Sequence, residues 1–224
     1  MLASIAADTA LMYVANPNNP TGTYLAAEVI DAFLARVPTR VVVVLDEAYN
    51  EYLPPELRVD STAWVRRYPN VVISRTFSKA FGLAGLRVGY GIAQRELTDL
   101  LNRVRQPFNV STVAQAAARA ALADDDFLAR SYELNLRGMQ QLTDAFHALG
   151  LEYVPSVGNF VLVKVGAAAR VYQELLKRGV IVRPVANYGL PEWLRITVGL
   201  PEENATFLAA LPEGFKRRIV LLTD

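Results

Sequence analysis

The sequence predicts an α/β domain on a mainly parallel sheet, followed by a smaller α+β domain at the C-terminus. Three observations predict it. Residues 41–45 form an unbroken apolar, β-branched-rich run, which suits a strand buried on both faces of a parallel sheet. Short apolar runs alternate with helix-periodic stretches through the first part of the chain, the signature of strand–helix–strand units. The rhythm then changes to Ala-rich helices and, after Gly150, to short strands with antiparallel spacing.

Taken in order, residues 11–15 are apolar and end in the turn-rich run 16–22. Residues 28–37 carry apolar side chains at helical spacing (Val29, Ile30, Phe33, Leu34, Val37) and stop before Pro38. The strand at 41–45 ends in the acidic pair Asp46 and Glu47. Further strands are predicted at 71–74 and 88–92. From residue 97 to about 149 the chain reads as helix, broken near Pro107, with long segments starting at Ala114 and Phe127 and a Gly150 cap. Residues 159–165 alternate as a half-exposed strand would. A helix is predicted at 168–178, closed by Gly179, and strands at 180–184 and 194–198. The domain boundary falls in the helical connector, dividing the chain into residues 1–115 and 116–224. The tail 215–224 is basic and then apolar, and suggests no function.

Composition narrows the chemistry. Of the 224 residues 52% are hydrophobic and 20% charged, enough for a buried core. The net charge of +1 gives no reason to expect nucleic acid or an anionic membrane as partner. With no cysteine and a single histidine, thiolate zinc sites, Cys nucleophiles and most His-based triads are excluded, and no metal is expected. His147 reads as a surface residue of a helix that buries Leu142, Phe146 and Leu149. Trp64 and Tyr68 read as packing residues. Acid/base work must fall to Lys, Asp, Glu or Tyr. Residues 1–8 lack the basic and apolar regions of a secretory signal, and no apolar run reaches membrane-spanning length. The expectation is a soluble, cytoplasmic protein.

Four motifs then stand together. Asn16-Pro17-Asn18-Asn19-Pro20-Thr21-Gly22 follows a strand and, alone, is a turn. Asp46-Glu47-Ala48-Tyr49 ends a strand, where α/β sheets bind ligands, although an N-cap would explain Asp46 as well. Ser74-Arg75-Thr76-Phe77-Ser78-Lys79-Ala80-Phe81-Gly82 sets a lysine among hydroxyls and apolar residues. Burial would lower its pKa, and a neutral amine condenses with an aldehyde, although a surface lysine in a loop would fit the segment as well. Gly85-Leu86-Arg87-Val88-Gly89 offers an arginine between glycines, able to clamp a phosphate or simply to form a surface ion pair. Jointly they supply what one cofactor demands: an amine, a carboxylate for a ring nitrogen, donors for a phenolic oxygen, and hydroxyls with a cation for a phosphate.

In this order the motifs resemble those of fold-type I, class I/II aminotransferases that use pyridoxal 5'-phosphate (PLP). Within these they are most similar to the histidinol-phosphate aminotransferase branch. Supporting stretches are Gln106-Pro107-Phe108-Asn109-Val110, Val182-Arg183-Pro184 and the run Trp193 to Gly199. The resemblance covers about residues 5 to 212. It implies a partial large domain that binds PLP and a C-terminal small domain. It makes Lys79 the catalytic lysine that bonds to the cofactor and shuttles a proton. Asp46 is then the ring-nitrogen partner, and Asn19 and Tyr49 donate to the phenolic oxygen. Thr76, Ser78 and Arg87 become phosphate ligands, and Arg195, Arg183 and Asn159 become substrate residues. The implied reaction moves an amino group between L-histidinol phosphate and 2-oxoglutarate, in histidine biosynthesis. The implied partners are a small amino donor and a 2-oxo acid, with a homodimeric assembly.

The family's chain is longer at its N-terminus. The resemblance therefore implies a Gly-rich phosphate cradle, an aromatic that stacks on the cofactor ring and an N-terminal arm, none with a counterpart in these residues. The expectation is a truncated gene product that binds PLP weakly and transaminates poorly, with apolar surface and an unpaired sheet edge left bare. The alternatives are a related enzyme (threonine-phosphate decarboxylase or an aromatic aminotransferase), a non-catalytic effector module and an inactive fragment.

Overall fold

The computed structural model describes the backbone of residues 1–220 and the side chains of residues 1–211, so the side chains of the 215–224 tail lie outside the described residues. The chain divides into two compact units. One comprises Met1–Asn18 and Tyr24–Ala129, the other Asn19–Thr23 and the chain from Arg130 onward.

The first unit carries a four-stranded sheet of β1 (Leu11–Ala15), β2 (Val42–Asp46), β3 (Val71–Thr76) and β4 (Gly89–Ala93), in that spatial order. β1, β2 and β3 are parallel, and the short crossovers hold α1 (Ala27–Leu34) and α2 (Thr62–Arg67). β4 pairs antiparallel with β3, so the sheet is mixed at that end. Apolar content locates a strand but does not encode its direction, which the connection decides.

One face of the sheet makes the core. Val14, Val43, Leu45, Val71 and Ile73 pack with Ile30 and Leu34 of α1 and Val65 of α2, each at most 6% exposed. Trp64 and Tyr68 pack against the same cluster. The other face is different. Val42 and Val44 are only half-buried, and Leu11 and Tyr13 are 47% and 72% exposed. The 41–45 run is thus buried on one face, not on both as expected, with α1 and α2 packed on that face. α1 also stops earlier than its apolar pattern, at Leu34. Bonds from Arg36 to Phe33 and from Val37 to Leu34 close a tighter final turn that still buries Val37.

Three further helices follow: α3 (Arg95–Val104), α4 (Thr112–Ala121) and α5 (Asp125–Ala148). Ser111 caps α4, its hydroxyl accepting from the Ala114 amide at 3.2 Å. Ala114 and Ala118 pack with Phe77, Phe81 and Val88. α4 lies in the first unit, which runs to Ala129 within α5.

The second unit is an antiparallel sheet, order β5-β6-β8-β7, from β5 (Tyr153–Val154), β6 (Phe160–Lys164), β7 (Arg183–Pro184) and β8 (Trp193–Thr197). α6 (Ala168–Leu176), α7 (Pro201–Val220) and the later part of α5 supply Val171, Leu175, Phe207, Leu211, Leu142 and Phe146 to its core. Gly150 and Gly179, both at positive φ, end α5 and α6 in the same way. In each, the glycine N–H bonds three residues back and the next N–H five residues back.

Three expectations are corrected here. β6 is buried on both faces from Phe160 to Val163, because Arg195 covers Phe160 while Val161 and Val163 face the helical core. The 180–184 strand shrinks to Arg183 and Pro184, and Pro184 has no N–H to extend the ladder. Leu149 is 43% exposed, although Leu142 and Phe146 are fully buried and His147 is at the surface as expected.

Candidate functional site

The parallel ladder sets which side chains share a face. Residues aligned across strands point the same way, and neighbours along a strand alternate. Ala15, Asp46 and Ser74 are aligned. Asp46, Ser74 and Thr76 therefore project from one face at the carboxyl ends of β2 and β3, the end where such sheets bind ligands. Thr76 aligns with Gly89 of β4. A Cβ at position 89 would stand 2.7 Å from the Arg75 carbonyl oxygen, so only glycine fits there. Because β4 is antiparallel, the loop that carries Arg87 reaches this same end.

The Lys79 loop is built by its flanks. Phe77 and Phe81 are buried with ring centroids 4.9 Å apart, and Phe77 also packs 5.6 Å from Tyr90. With Phe77, Ala80 and Phe81 all buried, Lys79 is the exposed residue of the segment. The Thr76 hydroxyl accepts from the Ser78 amide at 3.0 Å, the Lys79 carbonyl accepts from Gly82 at 2.9 Å, and Gly82 turns the chain at φ +71°. Lys79 is exposed, not buried as its flanks suggested, since the phenylalanines take the interior positions. Its Nζ stands 5.4 Å from the centroid of the buried Tyr49 ring and makes no ion pair among the described residues. Asp46 is the last residue of β2 and Tyr49 lies on the turn after it, where Asp46 Oδ1 accepts from the Ala48 amide at 3.1 Å. Arg87 is exposed in the left-handed region (φ 52°), its Nη1 donating to the Ala84 carbonyl at 2.8 Å.

Asp46, Tyr49, Thr76, Ser78, Lys79 and Arg87 therefore all belong to the first unit. The donor set suits a phosphorylated aldehyde with a basic ring nitrogen. Ser78, Thr76 and Arg87 can hold the phosphate, Lys79 offers the amine, and Asp46 is a carboxylate without an ion-pairing cation among the described residues.

Asn19, Asn159, Arg183 and Arg195 belong to the second unit. Arg195 Nη1 donates to Asn19 Oδ1. The guanidinium lies over the Phe160 ring, 4.9 Å from its centroid, and its buried Nε has no hydrogen-bond partner. Arg183 is aligned directly opposite Arg195 across β7 and β8. Two cations facing each other on one sheet need an anion between them or solvent around them. Asn159 lies just before β6, its carbonyl accepting from Val198 at 2.9 Å.

Sequence reasoning passed over Arg75, Ser61 and the partnership of Glu47. Glu47 is 6% exposed and its Oε2 meets Arg75 at 2.9 Å and the Ser61 hydroxyl at 2.9 Å. Burial pushes the Glu47 carboxyl above its usual range, and Arg75 and Ser61 offset part of that rise. The one available signal was the adjacency of Glu47 to Asp46 and of Arg75 to Thr76.

Among the described residues no helix is long and apolar enough to cross a membrane, and no cluster of three metal-ligating side chains occurs.

Comparisons with known proteins bear on the family. The chain is 70% identical over 215 residues to "Histidinol-phosphate aminotransferase 2" of Ralstonia nicotianae, covering 94% of this chain and 58% of that protein. It is 65% identical over 220 residues to "Histidinol-phosphate aminotransferase 1" of Cupriavidus pinatubonensis, covering 96% and 58%. The crystal structure of histidinol-phosphate aminotransferase from Sinorhizobium meliloti in complex with pyridoxal-5'-phosphate superposes with a TM-score of 0.87 at 35% identity, over 93% of this chain and 58% of that one. The chain thus spans about 58% of the length of these relatives. The model of the aminotransferase class I and II family matches residues 1–211, and with relatives of this closeness the chain belongs to that family.

Proposed function

We propose that this chain is the portion of a PLP-dependent histidinol-phosphate aminotransferase that carries the reactive lysine and the substrate arginines. The observation that carries the reading is the grouping of Lys79, Asp46, Tyr49, Thr76, Ser78 and Arg87 in one unit, around the carboxyl ends of β2 and β3. The identity of 70% to a protein of that name supports the substrate. A reader of histidinol phosphate needs cationic groups for its phosphate, and Arg195 with Arg183 opposite provides two.

When bound, PLP supplies an aldehyde and an electron-accepting ring. Lys79 would hold it through its amine and would carry a proton to and from the substrate's reacting carbon. Asp46 would pair with the ring nitrogen and keep it protonated. Tyr49 would donate to the phenolic oxygen, and Ser78, Thr76 and Arg87 would bind the phosphate. Arg195, Arg183 and Asn159 orient the substrate. By resemblance, the same reading carries a cytoplasmic homodimer, which light scattering tests.

The test is to incubate the purified chain with PLP, reduce with borohydride and locate the modified residue by peptide mass. A label on Lys79, absent from the Lys79→Ala variant, is expected. Reduction that labels other lysines equally would overturn the assignment. An amino-donor panel that includes histidinol phosphate then tests the substrate.

A further inference from the structure

Resting on that cofactor reading, we propose that Glu47, Arg75 and Ser61 form a positioning device that sets the geometry of Asp46 and Thr76 from the opposite face of the sheet.

The case starts with alternation along the strands. Asp46, Ser74 and Thr76 share the ligand face, so Glu47 and Arg75 point to the other face, as does Tyr90, aligned with Arg75. The Glu47 amide donates to the Ser74 carbonyl at 2.9 Å, extending the β2–β3 ladder one residue past the end of β2. Beneath that bond the side chains close a ring. Arg75 Nε donates to Glu47 Oε2 at 2.9 Å, Ser61 Oγ donates to the same oxygen at 2.9 Å, and an Arg75 Nη donates to Ser61 Oγ at 3.1 Å. Glu47 and Ser61 are 6% and 1% exposed. The ring thus ties the ends of β2 and β3 and the N-terminal end of α2 at the point where the two strands release the site loops.

A simpler view is that this ion pair only stabilises the fold. Its composition argues for more. A buried pair adds little net stability compared with apolar packing, but it dictates one geometry. The adjoining interior positions, Leu45 and Ile73, are apolar. The polar ring occurs only at the last row, one residue from Asp46 and one from Thr76. A second carboxylate, Glu51, has its proton affinity raised by burial, with the charges of Arg75 and Arg58 opposing the rise.

The experiment compares the wild-type chain with Glu47→Gln, Arg75→Lys and the milder Ser61→Ala. Three quantities are read for each: the Kd for PLP, the pH midpoint of the bound chromophore's absorbance, and the Tm of the cofactor-free chain. Glu47→Gln and Arg75→Lys are expected to raise Kd at least tenfold and to shift the chromophore midpoint, because Asp46 no longer faces the ring nitrogen correctly. Ser61→Ala should move both in the same direction by less. Variants that lose Tm but keep the wild-type Kd and chromophore midpoint would show a purely structural role and end the proposal. Wild-type values for all three quantities would end it equally. If Glu47→Gln does not fold, Ser61→Ala and Arg75→Lys decide. A wild-type chain that gives no Lys79 label defeats the cofactor reading itself, an outcome distinct from either.

Discussion

Arg195 donates from Nη1 to the side-chain oxygen of Asn19, 176 positions earlier in the chain, while its own Nε is buried without a partner. The bond belongs to a tether in which the Val157 amide also donates to the Gly22 carbonyl. Asn19→Ala removes the acceptor and leaves a second guanidinium donor unpaired. A loss of about 1–3 kcal/mol in unfolding free energy is expected. Urea unfolding checks it, and a loss no larger than that of an exposed Asn→Ala control would show that the bond is not maintained in solution.

Lys79 separates function from fold. Its side chain is exposed, and its Nζ stands 5.4 Å from the centroid of the Tyr49 ring. Surface changes of this kind stay within about 0.5 kcal/mol. Lys79→Ala should therefore keep the wild-type urea midpoint while losing the borohydride label. A strong loss of stability would mean that the lysine holds the loop, a role the structure gives to Phe77 and Phe81.

Much of this arrangement was legible in the sequence, and the rest was not for identifiable reasons. β1 matched its apolar run residue for residue, because turn-forming residues bound it. The Lys79 loop was recognisable from local chemistry, and so was Asp46 at the end of β2. What escaped depends on pairing between distant segments. Glu47 meets Arg75 because of a parallel register 28 positions apart, and no local pattern encodes a register. The exposure of Lys79 was one of two readings, since its neighbours' apolarity fits either a buried lysine or a surface one between buried anchors. The direction of β4 and the two-residue length of β7 likewise depend on how the connections run.

Glu47 predicts a pH dependence of stability. Burial raises its carboxyl above the ordinary value, ahead of the opposing effects of Arg75 and Ser61. A carboxyl raised on folding holds its proton more tightly in the native state. That contribution is fully present below the unfolded pKa and is lost as pH climbs through the folded one. From about pH 4 upward, the urea midpoint of the wild type should fall relative to that of Glu47→Gln, which has no proton to lose. Midpoints measured at half-unit steps give the difference curve. A flat or rising curve would contradict the direction of the shift.

Gly138 tests packing against helix propensity. It lies in the middle of α5, where replacing glycine by alanine ordinarily stabilises a helix by about 1 kcal/mol. Here a Cβ would collide with Val198 and stand 3.0 Å from Asn204 Nδ2 and 3.3 Å from the Gly199 carbonyl. Asn204 has little room to retreat. It is 3% exposed, and its side chain already bonds the Gly199 amide and carbonyl and the Gln141 side chain. Overpacking a filled site costs about 1–3 kcal/mol. Gly138→Ala should therefore destabilise the chain, opposite in sign to the propensity effect, and the double variant Gly138→Ala with Val198→Ala should recover part of the loss. Thermal unfolding of the two variants beside the wild type decides it. A stabilised single variant would mean that α5 and the 198–204 turn are packed less closely than their 3.0–3.3 Å approach implies.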